Sequence, residues 1–407
     1  MSLVAWLDTS LEQQRRAREI IKLFSDPLTI DDLGIGQIRD ALGDRLFPGS
    51  STIQTRARYL LLVPWAFQVA SGPTSSTRSL VARAEEYERS TLTSILKTDP
   101  DAVGLIGKRA GKNVRTLPSQ IYWTALRTYG ILEYPIGRQQ VGPTTRRASE
   151  ATELAERRSG PWVATLPPRP SDFPYSVDGG LELTSEEASW LQERILLSVP
   201  DSLLASLTRS ADPGVIYETP SAWDALRATE LPDDQRDLLT HAELFARTMQ
   251  GAAWVYNVLL AEAYARDEYT PQYGEVDVDH YREQFRAWTD EMRAIMPRTQ
   301  HWDLPAFWQT LGTAAYRIAP ATQIFVNRWI ESVRDGSALT ALDNQALRTM
   351  IQRRESAKKG PQAMLGNSRR LASWTGNSGT GLLTFRWANV TRILADIREG
   401  LDSAGTR

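Results

Sequence analysis

From Pro232 to Arg266 the chain runs thirty-five residues with one glycine and no internal proline, and this run constrains the fold more than any other feature. No strand reaches that length, whereas a helix of it is about 50 Å long. A chain holding such a rod is expected to build its cores from helices packed against it. The rest of the C-terminal half agrees. Apolar residues at helical spacing predict helices over Ser185–Ser198, Ser202–Arg209, Ser221–Glu230, His280–Met296, Pro305–Leu311, Pro320–Val333, Asn344–Glu355 and Ala388–Gly400. The fold class expected is mainly α, with several domains and no fixed-period repeat.

The N-terminal part is read the same way. Helices are expected over Leu11–Phe24, Gln37–Leu46, from a cap at Ser50–Thr52 into Trp65, Ala82–Leu96 and Gln120–Tyr129. Pro64 should kink or end the third of these. Short strands are expected near 3–7 and 131–134. Residues 100–134 read as helix, turn, helix and short strand, the order of a helix-turn-helix or winged-helix unit. Residues 135–180 contain seven prolines and predict an irregular connection, with a short helix at Ser149–Arg158. The division expected is therefore 1–134, a connection at 135–180, and a helical domain over 181–407.

Composition excludes several function classes. With no cysteine there are no disulfides, thiolate nucleophiles or zinc fingers. The three histidines, His241, His280 and His301, show neither HxxH nor HExxH spacing, so no metal site is expected. The start of the chain lacks a cationic segment followed by an apolar core, and no apolar run is long enough to span a bilayer. A cytoplasmic protein without membrane contact is the expectation. No Ser/His/Asp arrangement stands out, and Gly107-Lys108 and Gly111-Lys112 both lack the upstream glycine and the Ser/Thr of a phosphate loop. No catalytic residue and no cofactor are assigned. A nuclease would need clustered carboxylates with a lysine, which linear order does not reveal.

Net charge is −2, so any polyanion site must be a local patch. Forty-one of the 47 basic residues are arginine, a bias that genome composition explains as readily as function. Ala102 to Leu132 contains Lys108, Arg109, Lys112, Arg115 and Arg127 and no acidic residue, beside Tyr122, Trp123 and Tyr129. Phosphates attract such cations, and single-strand readers add aromatics. The competing reading makes those aromatics one core face. Arg56 and Arg58 form a basic helix start that either contacts a polyanion or pairs with Asp40 or Asp44. A second basic stretch carries Arg353, Arg354, Lys358, Lys359, Arg369 and Arg370, a solvated surface or a grip on phosphate or an acidic protein. The polar residues His241, Asn257 and Glu262 are read as structural hydrogen bonding.

Several blocks together carry a resemblance: Trp6-Leu7-Asp8, Leu33-Gly34-Ile35-Gly36 with Ile38-Arg39-Asp40, Leu46-Phe47-Pro48-Gly49 through Ser51-Thr52-Ile53-Gln54-Thr55-Arg56-Ala57-Arg58-Tyr59, Pro64-Trp65, and Arg386-Trp387. The chain resembles a bacterial family of unknown function, similar to accessory proteins of phage-defence gene clusters. That resemblance implies an antiviral role beside helicases and phospholipase-D-like proteins. The function expected is a non-enzymatic component binding DNA or RNA through the basic patches. The alternative is an adaptor whose Trp-rich helical domain docks onto a helicase or nuclease.

Overall fold

The structure, a computed structural model, describes residues 31–72, 77–141, 160–209, 219–227, 229–266, 276–312 and 316–403. The expected elements at Leu11–Phe24, 3–7 and Ser149–Arg158 lie outside these residues. Among the described residues there are fourteen α-helices and no β-strand. The chain is mainly α-helical, as its periodicity requires.

Helix α1 (Gly36–Leu46) is followed by an irregular stretch to Arg58, and α2 (Tyr59–Ala70) begins seven residues later than the Ser50–Thr52 cap predicted. The delay has a physical cause. The Thr55 and Arg56 N–H groups donate to the Tyr122 hydroxyl and the Ala57 N–H to Asp396, so the backbone there is held from outside the helix. Pro64 does not end α2, which is almost wholly buried. Ser79 caps α3 (Leu80–Thr98), and Pro118 opens α4 (Pro118–Thr128) at a position that needs no N–H donor. Helix α5 (Ser185–Ser198) starts with a capping box between Thr184 and Glu187. Next come α6 (Leu203–Arg209) and α7 (Ala222–Ala225), the latter a single turn where ten residues were expected.

The long rod is α8 (Asp233–Arg266). Asp277 caps α9 (Val278–Gln300), which precedes α10 (Leu304–Gly312) and α11 (Pro320–Arg334). Asn344 caps α12 (Gln345–Lys359), and the chain ends through α13 (Ser368–Leu371) and α14 (Trp387–Asp402).

The chain divides into two compact units that do not follow sequence order. The first takes residues up to Ala41 together with Thr240–Leu383; the second takes Leu42–Leu239 and the segment from Thr384 onward. A division into 1–134, 135–180 and 181–407 is thus not how the contacts cluster, because the last helix belongs with the N-terminal half of the chain.

In the first unit α8 is the axis. The Trp288 indole of α9 donates to the Arg247 carbonyl and that of Trp329 on α11 to Thr248, so two ring N–H groups are satisfied on one stretch of α8. Trp302 donates to Nδ1 of His241, which makes that histidine a structural acceptor. In the second unit α2 packs against α3 and α4, and α14 packs along α5. Gly400 permits this last approach: a Cβ there would lie 2.7 Å from that of Ala188. The described part of 135–180 has no regular helix beyond a 3-10 turn at Arg138–Gln140, yet it is packed. Trp162, Phe173 and Val177 are buried, and the Trp65 indole donates to the Pro167 carbonyl. Leu132 makes only an isolated antiparallel bridge to Trp162 where a strand was predicted.

Candidate nucleic-acid interface

Arg56 and Arg58, expected within a helix start, stand just ahead of α2 instead, and the structure uses both internally. The Arg56 Nε sits 2.8 and 3.0 Å from the two carboxylate oxygens of Asp396 on α14. Arg58 is buried; it donates to the Asp178 and Gly180 carbonyls and pairs with Glu187 at 2.9 Å. Neither pairs with Asp40 or Asp44. Asp40 takes Arg39, and Asp44 takes Arg386. The distinctive block from Leu46 to Tyr59 is therefore a clasp. Arg386 also donates to the Ser50 carbonyl, Asn389 to that of Gln54, Tyr129 to that of Pro48 and Tyr122 to that of Arg56. Burial raises the Asp396 carboxyl above the ordinary aspartate range, against the Arg56 guanidinium and Ala57 N–H that pull it down.

Residues 100–134 hold one α-helix, not two. The preceding helix ends at Thr98, and a long irregular stretch with a 3-10 turn at Gly111–Asn113 separates it from α4. That spacing is not the three- or four-residue turn of a helix-turn-helix. Nor is the N-terminus of α4 open to a phosphate. Ser119 is fully buried, and its N–H donates to Oε2 of Glu88 on α3 at 2.8 Å. A carboxylate of the chain thus holds the place an anion would take. Burial pushes Glu88 up to about 7 in spite of that hydrogen bond. Sequence reasoning missed Glu88 because a single acid on a mixed surface helix carries no signal.

The aromatics of this segment are core. Tyr122, Trp123 and Tyr129 are buried with their polar atoms satisfied by backbone, so they offer no stacking platform. The exposed face of α4 is Gln120, Thr124 and Arg127, at i, i+4 and i+7; Ala125 and Leu126 face inward and Ile121 is half-buried. Arg109, Lys112 and Arg115 are exposed as well, and none of these four cations has an ion-pair partner among the described residues. Lys108 is half-buried, with its Nζ 4.0 Å from Asp101.

In the first unit the second basic stretch divides similarly. Arg354 is buried, donating to the Leu33 and Gly34 carbonyls and to the Thr322 hydroxyl, with its guanidinium 5.1 Å from the Phe325 ring centre. Lys359 pairs with the buried Asp32 at 3.0 Å. Arg353, Lys358, Arg369 and Arg370 are exposed and carry no ion pair among the described residues. Beside them Glu355 is fully buried, accepting from the Tyr256 hydroxyl at 2.6 Å and from the Met364 and Leu365 N–H groups. Asn257 exchanges hydrogen bonds with the backbone of Ser378, and Glu262 pairs with Arg282 and Arg348, the structural use expected. Among the described residues ten of the twelve tryptophans are buried.

These features define an α-helical protein built on buried arginine–carboxylate clasps, with unpaired cations left on the surface of each unit. Among its described residues no group of three or more His, Asp or Glu could hold a metal ion, and no helix is long and apolar enough to cross a membrane. Residues 1–400 match a family of unknown function (DUF6361), and the chain belongs to that family. No curated protein matches it, and no solved structure does.

Proposed function

We propose that the protein binds the phosphate backbone of DNA or RNA through Arg109, Lys112, Arg115 and Arg127, aided by Arg353, Lys358, Arg369 and Arg370. One observation supports this above others. The two buried arginines among the described residues, Arg58 and Arg354, are bound to carbonyls or a carboxylate, whereas these four cations of the second unit stand exposed in a thirty-one-residue stretch that has no acid. Cations without internal partners are free to displace counterions from a polyanion. With the aromatics buried, contact is to phosphates rather than to stacked bases. A role in antiviral defence, beside helicase and phospholipase-D-like proteins, belongs to the same proposal and rests on the resemblance of the signature blocks alone.

Fluorescence anisotropy on short duplex and single-stranded DNA across a salt series tests the reading. Binding should weaken steeply with salt, and the slope should fall by about one unit for each phosphate contact removed. Absence of binding by the parent at low salt ends the proposal and leaves docking to a protein partner as the alternative.

A further inference from the structure

The outer face of α4 has a composition that phosphate binding alone does not call for. Its exposed side chains are Gln120, Thr124 and Arg127, at i, i+4 and i+7 along one face. No acid stands among them or in the segment from Lys112 that leads into the helix. By contrast, the exposed faces of α3, α5 and α14 in the same unit carry Glu86, Glu186 with Glu193, and Glu399 with Asp402. The α3 acids beside α4 are engaged inside the chain: Glu88 accepts the Ser119 N–H, and Glu85 pairs with Arg138 at 2.7 Å. The face is also held in place from behind. The Tyr122 hydroxyl donates to the Arg56 carbonyl and the Trp123 indole to that of Ile136. Gln120 is preset as well, because its amide oxygen accepts the Leu117 N–H at 2.9 Å and its NH2 remains a donor.

We infer that this face of α4 lies in the major groove of duplex DNA, where Gln120, Thr124 and Arg127 meet base edges while Arg109, Lys112 and Arg115 hold the flanking phosphates. The inference rests on the nucleic-acid reading above and narrows it to one substrate class. Of the four cations, Arg127 moves from phosphate to base edge. From Gln120 to Arg127 the helix rises about 10 Å, the span of about three base pairs. The major groove of B-form DNA, about 12 Å wide, admits a helix, whereas the deep and narrow one of an RNA duplex does not. The side-chain types suit what that groove displays. A guanidinium donates twice to the O6 and N7 of guanine, a glutamine NH2 donates to a purine N7, and a threonine hydroxyl bonds several bases. Sequence-tolerant binding of a single strand uses stacking aromatics, and those of this segment are buried.

The test uses the full chain and a pool of short DNA duplexes randomised at their centre. Selection should enrich a motif of about three base pairs, and the enriched duplex should bind about tenfold or more tightly than a scrambled one in fluorescence anisotropy. Replacing the guanine of that motif by 7-deazaguanine, which lacks the major-groove N7 acceptor, should weaken binding of the parent. Arg127→Lys keeps the charge and loses the fork, so it should remove the preference for guanine and leave the scrambled duplex within about twofold. Thr124→Ala should relax a neighbouring position in the same way, whereas Lys112→Ala should weaken both duplexes equally. Gln120→Ala also removes the acceptor of the Leu117 N–H; should it fail to fold, Thr124→Ala and Arg127→Lys decide alone. Salt-dependent binding without an enriched motif overturns the inference and leaves backbone binding standing. Equal affinity for a single strand or an RNA duplex does the same, and so does a motif unchanged by both Thr124→Ala and Arg127→Lys. Absence of binding to any DNA at low salt removes the nucleic-acid reading itself, and this inference with it.

Discussion

The guanidinium of Arg56 and the carboxylate of Asp396 stand 340 positions apart in sequence and 2.8 Å apart in space. Asp396 also accepts the Ala57 N–H at 2.7 Å. One acid on the last helix therefore fixes both a side chain and the backbone ahead of α2. Removing the arginine strands a carboxylate that is 5% exposed. Arg56→Ala should cost on the order of 3 kcal/mol in urea unfolding. It should leave the salt slope of DNA binding unchanged, since Arg56 is not free to meet phosphate.

Arg58 is more deeply placed, with a side chain only 3% exposed and two carbonyls besides Glu187 depending on it. Arg58→Ala should destabilise by about 3–5 kcal/mol. Arg58→Lys should recover little, because an ammonium cannot reproduce a planar fork spread over three acceptors. Equal stability of parent and Arg58→Ala in chemical denaturation would sink the clasp.

Glu88 makes stability depend on pH. The folded protein keeps this proton up to about pH 7, whereas an unfolded carboxyl releases it near 4.5. Its contribution is therefore full below that unfolded value and is lost as pH rises through about 7, up to about 3 kcal/mol in all. Glu88→Gln should flatten this part of the pH–stability profile and exceed the parent in stability at pH 8. Parallel profiles for the two proteins between pH 5 and 8 would show that Glu88 ionises normally.

Gly251 lies beneath the Trp288 ring, where a Cβ would come within 2.1 Å of the indole. Alanine favours helix over glycine by about 1 kcal/mol, but overpacking costs about 1–3. Gly251→Ala should be destabilising, and Trp288→Leu in the same chain should relieve part of the loss. The readout is the midpoint of thermal unfolding with tryptophan fluorescence.

Substituting Arg109, Lys112, Arg115 and Arg127 by alanine together should change stability by less than about 0.5 kcal/mol per site, as surface positions without partners do. The same variant should lose most of its DNA affinity at low salt. A large drop in melting temperature would show that these side chains hold the fold instead.

The mainly α class and most helix positions were legible in the sequence, because apolar spacing, caps and proline placement act over a few residues. Asn344 ahead of α12 and the Thr184–Glu187 box ahead of α5 needed no tertiary information. What the tertiary structure alone decided is which charges are free. By sequence, Arg56, Arg58, Arg354 and Lys359 were each open to a role as surface cations. Each lost that role to an acceptor or acid elsewhere in the chain: Asp396, Glu187, the carbonyls of Leu33 and Gly34, and Asp32. Arg109, Lys112 and Arg115 look the same in sequence and kept it. Hydrogen bonding to a distant acceptor has no periodicity, so a basic residue gives the same local signal whether it will be buried in a clasp or left in water.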